Sequence, residues 1–437
     1  NIKPSEASFK IIPYNPDAKA TLVGEDPNGW FIKDSDGDGV RITPPAGYTI
    51  STSDSVENTN TWSEFLTVPD GEYDEGVTYY LRNTETGAIS VAKKTEPFKQ
   101  DTVAPKANIS AEDSKIKNII NDLLSMFGRF FNETVNVTLQ EEPASATYTK
   151  DLSGIAKVEY YVSHEILSDT EIKNLAADKW TSVNGINAQY AANPNDKYIV
   201  YGRITDNAGN VSDIVKTYGF VTDNKVPTIE GKNLKDWYNN NTDKVTVSVT
   251  DNLAGVDIIN NTVKYSINGG TTKTVTLTDA GTFEISVADL AEGTNTITVS
   301  AKDNSTNENK AYTITVKKDT TAPKVTDTRT DPTAWITTQD VVVSVVDNEN
   351  GSGIDTKTVT YKVGNGEEIP ATVAKDGTIT IPADKIPNGT TTVTVVAKDN
   401  CGNTTKQDLT VKKDTIAPTV EDKDNVSGTW INDPKQD

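Results

Sequence analysis

The sequence has very few of the side chains that carry most metal and redox chemistry. Its 437 residues include one cysteine, one histidine and one methionine. This count excludes a disulfide framework, a cysteine zinc site and a multi-histidine metal centre. His164 lies on a predicted strand with no nucleophile motif nearby, and no large α/β scaffold is indicated that could hold paired catalytic carboxylates. We therefore expect no catalysis.

Long hydrophobic runs and positive charge are also scarce. No stretch of about 18 apolar residues occurs, so we expect no membrane insertion. Lys and Arg number 42 against 63 Asp and Glu, which gives a net charge of −21. This charge would repel nucleic acid and anionic membrane surfaces, and repulsion between copies favours a monomer.

Four copies of the pentapeptide Asp-x-x-[Ala/Val]-Pro, here called the hinges, divide the sequence into repeats. Their prolines are separated by 122, 96 and 95 residues, and a period near 95 is the size of one β-sandwich module. The predicted domains are a divergent module at residues 1–100, an enlarged one at 101–223, two compact ones at 224–319 and 320–414, and the start of a further repeat at 415–437. We expect the chain to be an internal piece of a longer protein.

Each repeat contains two further turns rich in aspartate. An early turn follows an alternating strand, as in Asp251-Asn-Leu-Ala-Gly255, and a late turn has the pattern Asp303-Asn-Ser-Thr-Asn307. A tryptophan follows each of the last three hinge prolines by 10 or 12 residues and is assigned to packing: Trp237, Trp335 and Trp430. Period-2 alternation around these turns predicts strands with one buried face.

Two helices are predicted as insertions in the second module. Apolar residues recur at helical spacing over residues 114–131, from Ile116 to Phe131, and Ser168–Trp180 reads as a second short helix. The apolar face of the first helix either covers a sandwich edge or binds a partner.

Together, the hinges, the Asp-x-x-Gly early turns and the Asp-Asn-Ala-Gly-Asn late turns resemble the immunoglobulin-like repeats of large bacterial cell-surface proteins, mostly Gram-positive. The resemblance covers residues 101–437. It implies an all-β fold of tandem immunoglobulin-like β-sandwiches in an extended string, located outside the cell. Such strings serve as stalks, as adhesins or as accessory modules of secreted carbohydrate-active enzymes.

Calcium is the candidate cofactor, since hinge and late-turn aspartates could offer several hard oxygen ligands near one junction. Some related adhesin repeats carry calcium there, as the resemblance implies. The alternative is that each aspartate caps a turn. The candidate residues are Asp101, Asp223, Asp319 and Asp414 in the hinges and Asp206, Asp303 and Asp399 in the late turns.

A second candidate is the sequence Asp34-Ser-Asp36-Gly-Asp38-Gly39. It matches the opening half of an EF-hand loop, with Asp34, Asp36 and Asp38 as ligands, but Pro45 stands where a bidentate Glu is required. The alternatives are a looser calcium loop and a tight acidic hairpin turn. Cys401 takes the place of Ala208 in the late turn and is interpreted as a neutral substitution.

The sequence thus favours a non-catalytic stalk or spacer and adhesion scaffold at the bacterial cell surface. Two alternatives stay open: residues 1–223 form a binding head for a host protein or glycan, or the modules accompany a secreted carbohydrate-active enzyme. Aromatic residues of the first module either fill its core or form a sugar-binding platform. They are Trp30, Tyr48, Trp62, Tyr73, Tyr79 and Tyr80.

Overall fold

The computed structural model describes residues 15–55, 61–111 and 127–421. Within these ranges the fold is all-β and consists of tandem immunoglobulin-like β-sandwiches, as the sequence predicts. The chain divides into two compact units. Unit 1 comprises Asn1–Val226, Asp251–Gly255 and Asp303–Asn307, and unit 2 comprises Pro227–Thr250, Val256–Lys302 and Glu308–Asp437. The domain boundaries drawn from the repeats stay a prediction.

The first part of unit 1 contains three small sheets in the orders β1-β2-β4, β3-β6-β7 and β5-β8. Their core includes Ile42, Ile50, Tyr79 and Leu81. The other five aromatic side chains considered as a platform are all half-buried, which favours the core interpretation. The strands are β1 (Thr21–Val23), β2 (Arg41–Thr43), β3 (Tyr48–Ser51), β4 (Leu66–Thr67), β5 (Gly71–Tyr73), β6 (Thr78–Asn83), β7 (Lys93–Lys94) and β8 (Phe98–Gln100).

The second part of unit 1 is a sandwich of a β9-β11-β14 sheet and a β10-β17-β15-β12-β13 sheet, with β16 paired to β15. Alternation along β11 buries Val135, Val137 and Leu139 between the sheets, as expected for a strand with one core face. The strands are β9 (Ala107–Ala111), β10 (Arg129–Phe131), β11 (Val135–Glu141), β12 (Ile155–Ser163), β13 (Thr181–Asn184), β14 (Asn187–Ala192), β15 (Asp196–Asp206), β16 (Val215–Lys216) and β17 (Phe220–Thr222).

The predicted helix at 168–180 is confirmed as helix α1 (Asp169–Lys173) followed by a 3₁₀ turn (Ala177–Lys179). Ser168 and Glu171 form a capping box at its start. Ile172 and Trp180 pack with Ile199 and Tyr201. This insertion therefore gives the strand β15 a second apolar layer outside the sandwich core.

The predicted helix at 114–131 is wrong at its end. Arg129–Phe131 is the strand β10, which pairs in parallel with β17. The Phe131 ring packs edge to face against Phe220, with ring centroids 5.8 Å apart. A short apolar run can fit both helical and strand spacing, and here the packing against β17 selects the strand. Residues 114–126 of this prediction lie outside the described residues.

Unit 2 contains two further sandwiches. The sheets are β18-β19-β22 with β21-β20-β23-β24, and β25-β27-β30 with β26-β32-β31-β28-β29. The strands are β18 (Thr228–Lys232), β19 (Lys244–Thr250), β20 (Lys264–Ile267), β21 (Lys273–Thr274), β22 (Thr282–Ser286), β23 (Gly293–Lys302), β24 (Glu308–Lys318), β25 (Lys324–Asp327), β26 (Trp335–Ile336), β27 (Val341–Val346), β28 (Thr360–Val363), β29 (Glu368–Pro370), β30 (Thr378–Ile381), β31 (Gly389–Lys398) and β32 (Thr404–Lys413). Two 3₁₀ turns, Val287–Asp289 and Ala383–Lys385, precede β23 and β31.

A parallel pairing beside each hinge recurs four times. The residues that pair with the last strand before the hinge are Phe31, Arg129–Phe131, Tyr238 and Trp335–Ile336. The next contact is equally regular, because each hinge aspartate amide donates to a carbonyl of this segment: Asp101 to Phe31 (3.0 Å), Asp223 to Phe131 (2.7 Å), Asp319 to Tyr238 (2.9 Å) and Asp414 to Ile336 (3.0 Å). Residues 21–100 thus share this closing element despite their divergent sequence.

The assignment of the repeated tryptophans to packing is wrong for Trp335, whose side chain is 57% exposed. Successive residues of a strand point to opposite faces, and it is the neighbouring Ile336 that packs against the core. In the preceding repeat the buried residue is likewise Tyr238, next to a half-buried Trp237. Trp430 lies outside the described residues.

No helix in the part of the chain that the structure describes is long and apolar enough to cross a lipid bilayer.

Candidate metal centres

Three clusters of acidic side chains lie where the hinges meet the early and late turns. Site 1 is Asp101, Asp151 and Asp206; site 2 is Asp223, Asp251 and Asp303. Site 3 groups Asp319, Asp399 and Cys401. In each site, one ligand atom per residue lies within 4.8 Å of the others. Sites 1 and 2 belong to unit 1, and site 3 belongs to unit 2.

Six of the seven aspartates predicted from the hinges and late turns therefore fall into these sites. The exception is Asp414, whose Oδ1 accepts a hydrogen bond from the Ile416 amide at 2.9 Å. Residues 422–437, which follow this hinge, lie outside the described residues.

The hinge aspartates bridge two stretches of chain. In site 2, Asp223 Oδ1 accepts a hydrogen bond from the Lys225 amide at 2.9 Å, and Oδ2 accepts one from the early-turn Ala254 amide at 3.1 Å. The equivalent donors are Val103 (3.3 Å) and Ser153 (2.8 Å) for Asp101, and Thr321 (3.2 Å) and Ser352 (2.7 Å) for Asp319. Each hinge carboxylate caps turns and still keeps lone pairs.

The late-turn aspartates are tied to the hinge through an asparagine. Asn307 Nδ2 donates to Asp303 Oδ2 at 2.7 Å and also to the Asp223 backbone carbonyl at 2.7 Å. Asn210 and Asn403 repeat both contacts in sites 1 and 3 at 2.8–2.9 Å. The last residue of the Asp-Asn-x-x-Asn turn is thus a structural bridge between the two aspartates.

The early-turn aspartates complete the clusters, and sequence reasoning missed them as ligands. Asp151 Oδ2 accepts from the Gly154 amide at 2.8 Å, and Asp251 Oδ1 accepts from the Gly255 amide at 2.7 Å. The other oxygens, Asp151 Oδ1 and Asp251 Oδ2, are buried and have no hydrogen-bond partner. A signal was available, because Asp251 and Asp347 each follow their hinge aspartate by 28 residues.

The proximity of these carboxylates perturbs their ionisation. Burial, with the neighbouring Asp101 and Asp206, raises the pKa of Asp151 to about 7. Burial, with Asp251 and Asp223, raises the pKa of Asp303 to about 6, although hydrogen bonds from Asn307 oppose the shift. Ionised carboxylates this close therefore need a proton or a cation to offset their repulsion.

Sites 1 and 2 fit a hard divalent cation such as Ca²⁺. Their donors are carboxylate oxygens, the ligands that Ca²⁺ prefers, and each site has one buried oxygen without a partner. Beside site 2, Ser305 is 2% exposed, and its hydroxyl is also unpartnered. Cation binding would use the lone pairs that turn capping leaves.

Site 3 has a different donor set. Cys401 stands where site 2 has Ser305, and its thiol lies in the cluster, so the substitution is not remote from the candidate ligands. Burial raises the pKa of this thiol, with Asp319 and Asp399 adding to the shift. A protonated thiol is a poor ligand for Ca²⁺. The early-turn Asp347 is nearby. Burial raises its pKa, and the charges of Asp319 and Asp399 add to the shift.

The turn at Asp34–Asp38 is occupied by a cationic side chain. Arg41 Nη2 lies 3.6, 3.5 and 2.6 Å from carboxylate oxygens of Asp34, Asp36 and Asp38. Asp34 Oδ1 also accepts from the Asp36 and Asp38 amides at 2.9 and 3.0 Å. These contacts favour the acidic turn over the calcium loop.

A second set of hydrogen bonds, absent from the sequence predictions, fixes the residue after the hinge aspartate. The Thr320 amide and hydroxyl donate to the two carboxylate oxygens of Glu292 at 2.9 and 2.7 Å. Asp70 holds Thr102 in the same way at 3.0–3.1 Å. Asn388 holds Thr415 through its single Oδ1, which accepts from both the amide and the hydroxyl at 3.1–3.2 Å. The sequence signal is a polar residue before glycine, 26 to 31 residues ahead of the hinge aspartate. The residue after each of these hinge aspartates is therefore fixed by a side chain.

No family model and no curated protein matches the sequence. Solved structures do resemble it. A tetra-tandem repeat from the extending region of a large adhesion protein is 16% identical with a TM-score of 0.30, covering 88% of this chain and 99% of that one. A Ca²⁺-stabilised adhesin from an Antarctic bacterium that binds ice is 18% identical with a TM-score of 0.24, covering 89% and 100%. The FN1–FN3 domains of chicken CNTN1 are 13% identical with a TM-score of 0.25, covering 71% and 99%.

Because these likenesses are distant, we base the proposed function on contacts within the chain itself.

Proposed function

We propose that the chain is a segment of a bacterial surface protein that lies outside the cell. Its tandem sandwiches act as a stalk and adhesion scaffold without a catalytic role, and Ca²⁺ held by the aspartate clusters stiffens the hinges. The observation that carries the proposal is that a hinge aspartate and a late-turn aspartate, bridged by an asparagine, come together at three successive hinges, with an early-turn aspartate completing the cluster at the first two. A scaffold of this kind lets the protein bind its partner, a host protein or glycan, at a distance from the cell.

The proposed role of the cation follows from which stretches of chain the ligands join. In sites 1 and 2 one aspartate comes from the hinge, one from the early turn and one from the late turn. A cation bound to all three would hold the hinge to both turns and remove the repulsion between the carboxylates. The chain's own residues supply the ligands and hold them in place through turn hydrogen bonds.

The number of bound ions tests this function. Equilibrium dialysis of the full chain against Ca²⁺ at neutral pH should give at least two ions per chain, one each for sites 1 and 2. The variant Asp251→Asn should lose one ion, because it removes a ligand charge from site 2. The variant Asp279→Asn, at an exposed turn of the same repeat, should keep the full number.

Absence of Ca²⁺ binding to the unmodified chain would contradict the cation part of the proposal. So would equal stoichiometry in both variants, since Asp279 lies in none of the clusters.

A further inference from the structure

A pocket in unit 1 combines an apolar lining with positive charge. The strands β9 and β10 and residues 216–220 enclose a cavity of about 270 Å³. Ile109, Phe131 and Phe220 contribute buried or half-buried apolar side chains. Arg129 and Tyr218 are exposed at its edge, and the Tyr218 side chain is 75% exposed. The described lining of the cavity therefore combines a hydrophobic interior with an exposed edge, as small-molecule sites do.

The charge of this pocket is opposite to that of the chain. Among the residues that the structure describes, its lining includes Arg129 and Lys216 and no acidic residue. Neither cation forms an ion pair with a carboxylate of the described residues, although acidic side chains outnumber basic ones by 63 to 42 in the chain. Two cations that line one pocket and have no acidic partner among the described residues are available to an anionic ligand.

The aromatic side chain positions one of these cations. The Arg129 guanidinium carbon lies 4.6 Å from the centroid of the Tyr218 ring. Stacking on a ring leaves the planar N–H groups of arginine free to bind a carboxylate through two parallel hydrogen bonds. The exposed tyrosine also offers an apolar surface to a ring-shaped ligand.

We propose that this pocket binds a carboxylated pyranose, the acidic unit of an anionic glycan. Arg129 and Lys216 receive the carboxylate, and Tyr218 packs against the sugar ring. The cavity, at about 270 Å³, is slightly smaller than the usual ligand pocket of about 300–1,000 Å³, a size suited to one sugar unit. The inference adds a ligand site to the proposed scaffold and does not depend on the cation clusters.

Ligand-observed NMR titration of the full chain tests the proposal, with glucuronic acid and N-acetylneuraminic acid as probes. We expect at least one acid to bind with a Kd on the order of 1 mM, typical of a single small contact site. Glucose and the methyl ester of the same acid should bind about tenfold more weakly or not at all, because they lack the charge that forms the strong hydrogen bonds.

Matched variants assign the binding to this pocket. Arg129→Gln, Lys216→Gln and Tyr218→Ala should each weaken the acid about fivefold or more, whereas Lys173→Gln, which removes an exposed charge from helix α1, should change nothing. All four positions are exposed, and an unchanged thermal transition would confirm that each variant is folded. Failure of both acids to bind at about 20 mM overturns the proposal, as does binding that the three pocket variants leave intact.

Since Ca²⁺ binding is measured separately, failure of this ligand site and failure of the proposed scaffold function can be distinguished.

Discussion

At the residue scale, Asp151 and Asp251 are the aspartates of sites 1 and 2 that hold a buried oxygen without a hydrogen-bond partner. Each caps its own turn with one oxygen and leaves the other buried and unpartnered. A buried polar atom without a partner is costly, and the cost is larger when the group is charged. A cation would give these oxygens a partner, and the raised pKa values in the two sites belong to Asp151 and Asp303. The stability of sites 1 and 2 should therefore depend on pH and on divalent cations together.

The direction of the pH effect follows from the raised pKa values. Asp151 has a pKa of about 7 and Asp303 one of about 6, against about 3.9 in an unfolded chain. Without a cation the folded state binds more protons than the unfolded state between about pH 4 and 7, so its stability falls as pH rises through that window. Thermal unfolding in a chelator should show a lower transition for unit 1 at pH 8 than at pH 5, on the order of 3 °C for each kcal/mol lost by a unit of this size.

Calcium and a single substitution provide the controls for this prediction. Saturating Ca²⁺ at pH 8 should reverse the loss, since binding to the folded state alone stabilises it. Asp151→Asn should flatten the pH dependence in chelator because the group with the largest shift is gone. A transition in chelator that rises from pH 5 to pH 8 would show that these carboxylates titrate in the ordinary acidic range.

The sequence revealed the hinge and late-turn aspartates of each site because they recur in recognisable pentapeptides. It did not reveal Asp151 and Asp251 as ligands, since an aspartate shortly before a turn glycine, as in Asp151–Gly154 and Asp251–Gly255, is fully explained by turn capping. The deciding fact, which oxygen of each carboxylate is left without a donor, depends on how the turn packs beside the hinge. That packing has no local sequence signature.

At the element scale, the short parallel segment beside each hinge links the hinge to a sandwich core. Its carbonyl accepts the hinge aspartate amide, and in the third repeat its side chain Tyr238 is 2% exposed within the core. The residue next to the inward one points away from the core and is less buried, as in Trp335, whose side chain is 57% exposed. We therefore expect stability to depend on the inward residue and not on the repeated tryptophan.

A pair of aromatic-to-alanine variants tests that expectation. Tyr238→Ala should destabilise unit 2 by about 3–5 kcal/mol, the usual cost of truncating a large buried side chain. Trp335→Ala should cost less than about 1 kcal/mol, because most of its surface is already in water. Urea unfolding of the two variants and the parent chain would measure both values. Equal losses, or a larger loss for Trp335→Ala, would mean that the tryptophans are the packing residues after all.

Elements were predicted well where several local signals agreed. The helix at Asp169–Lys173 has a capping box and a buried Ile172, and it lies inside the predicted range. The strand β10 was mistaken for the end of a helix because Phe127 and Phe131 are spaced like residues on one helical face. Its pairing partner β17 lies about 90 residues away in the sequence, and no local pattern reports such a contact.

At the scale of the whole molecule, the repeat period was sufficient to predict an all-β fold of tandem sandwiches, and the structure agrees. The division into units follows the aspartate contacts more closely than the repeat boundaries. Unit 1 includes the loops Asp251–Gly255 and Asp303–Asn307, and these are the early and late turns that hydrogen-bond to Asp223. The sequence could not show this sharing, because it arises from contacts between turns far apart along the chain.

Small-angle X-ray scattering of the full chain in millimolar Ca²⁺, and again after chelation at pH 8, tests the stiffened scaffold most directly. If cations at the clusters restrain the hinges, the curve in Ca²⁺ should be that of a stiff, elongated particle, and chelation should broaden the distribution of interatomic distances. Asp251→Asn should show part of this change even in Ca²⁺, and Asp279→Asn should behave like the parent chain. Identical curves with and without Ca²⁺ would contradict the proposal and leave the aspartates as turn caps alone.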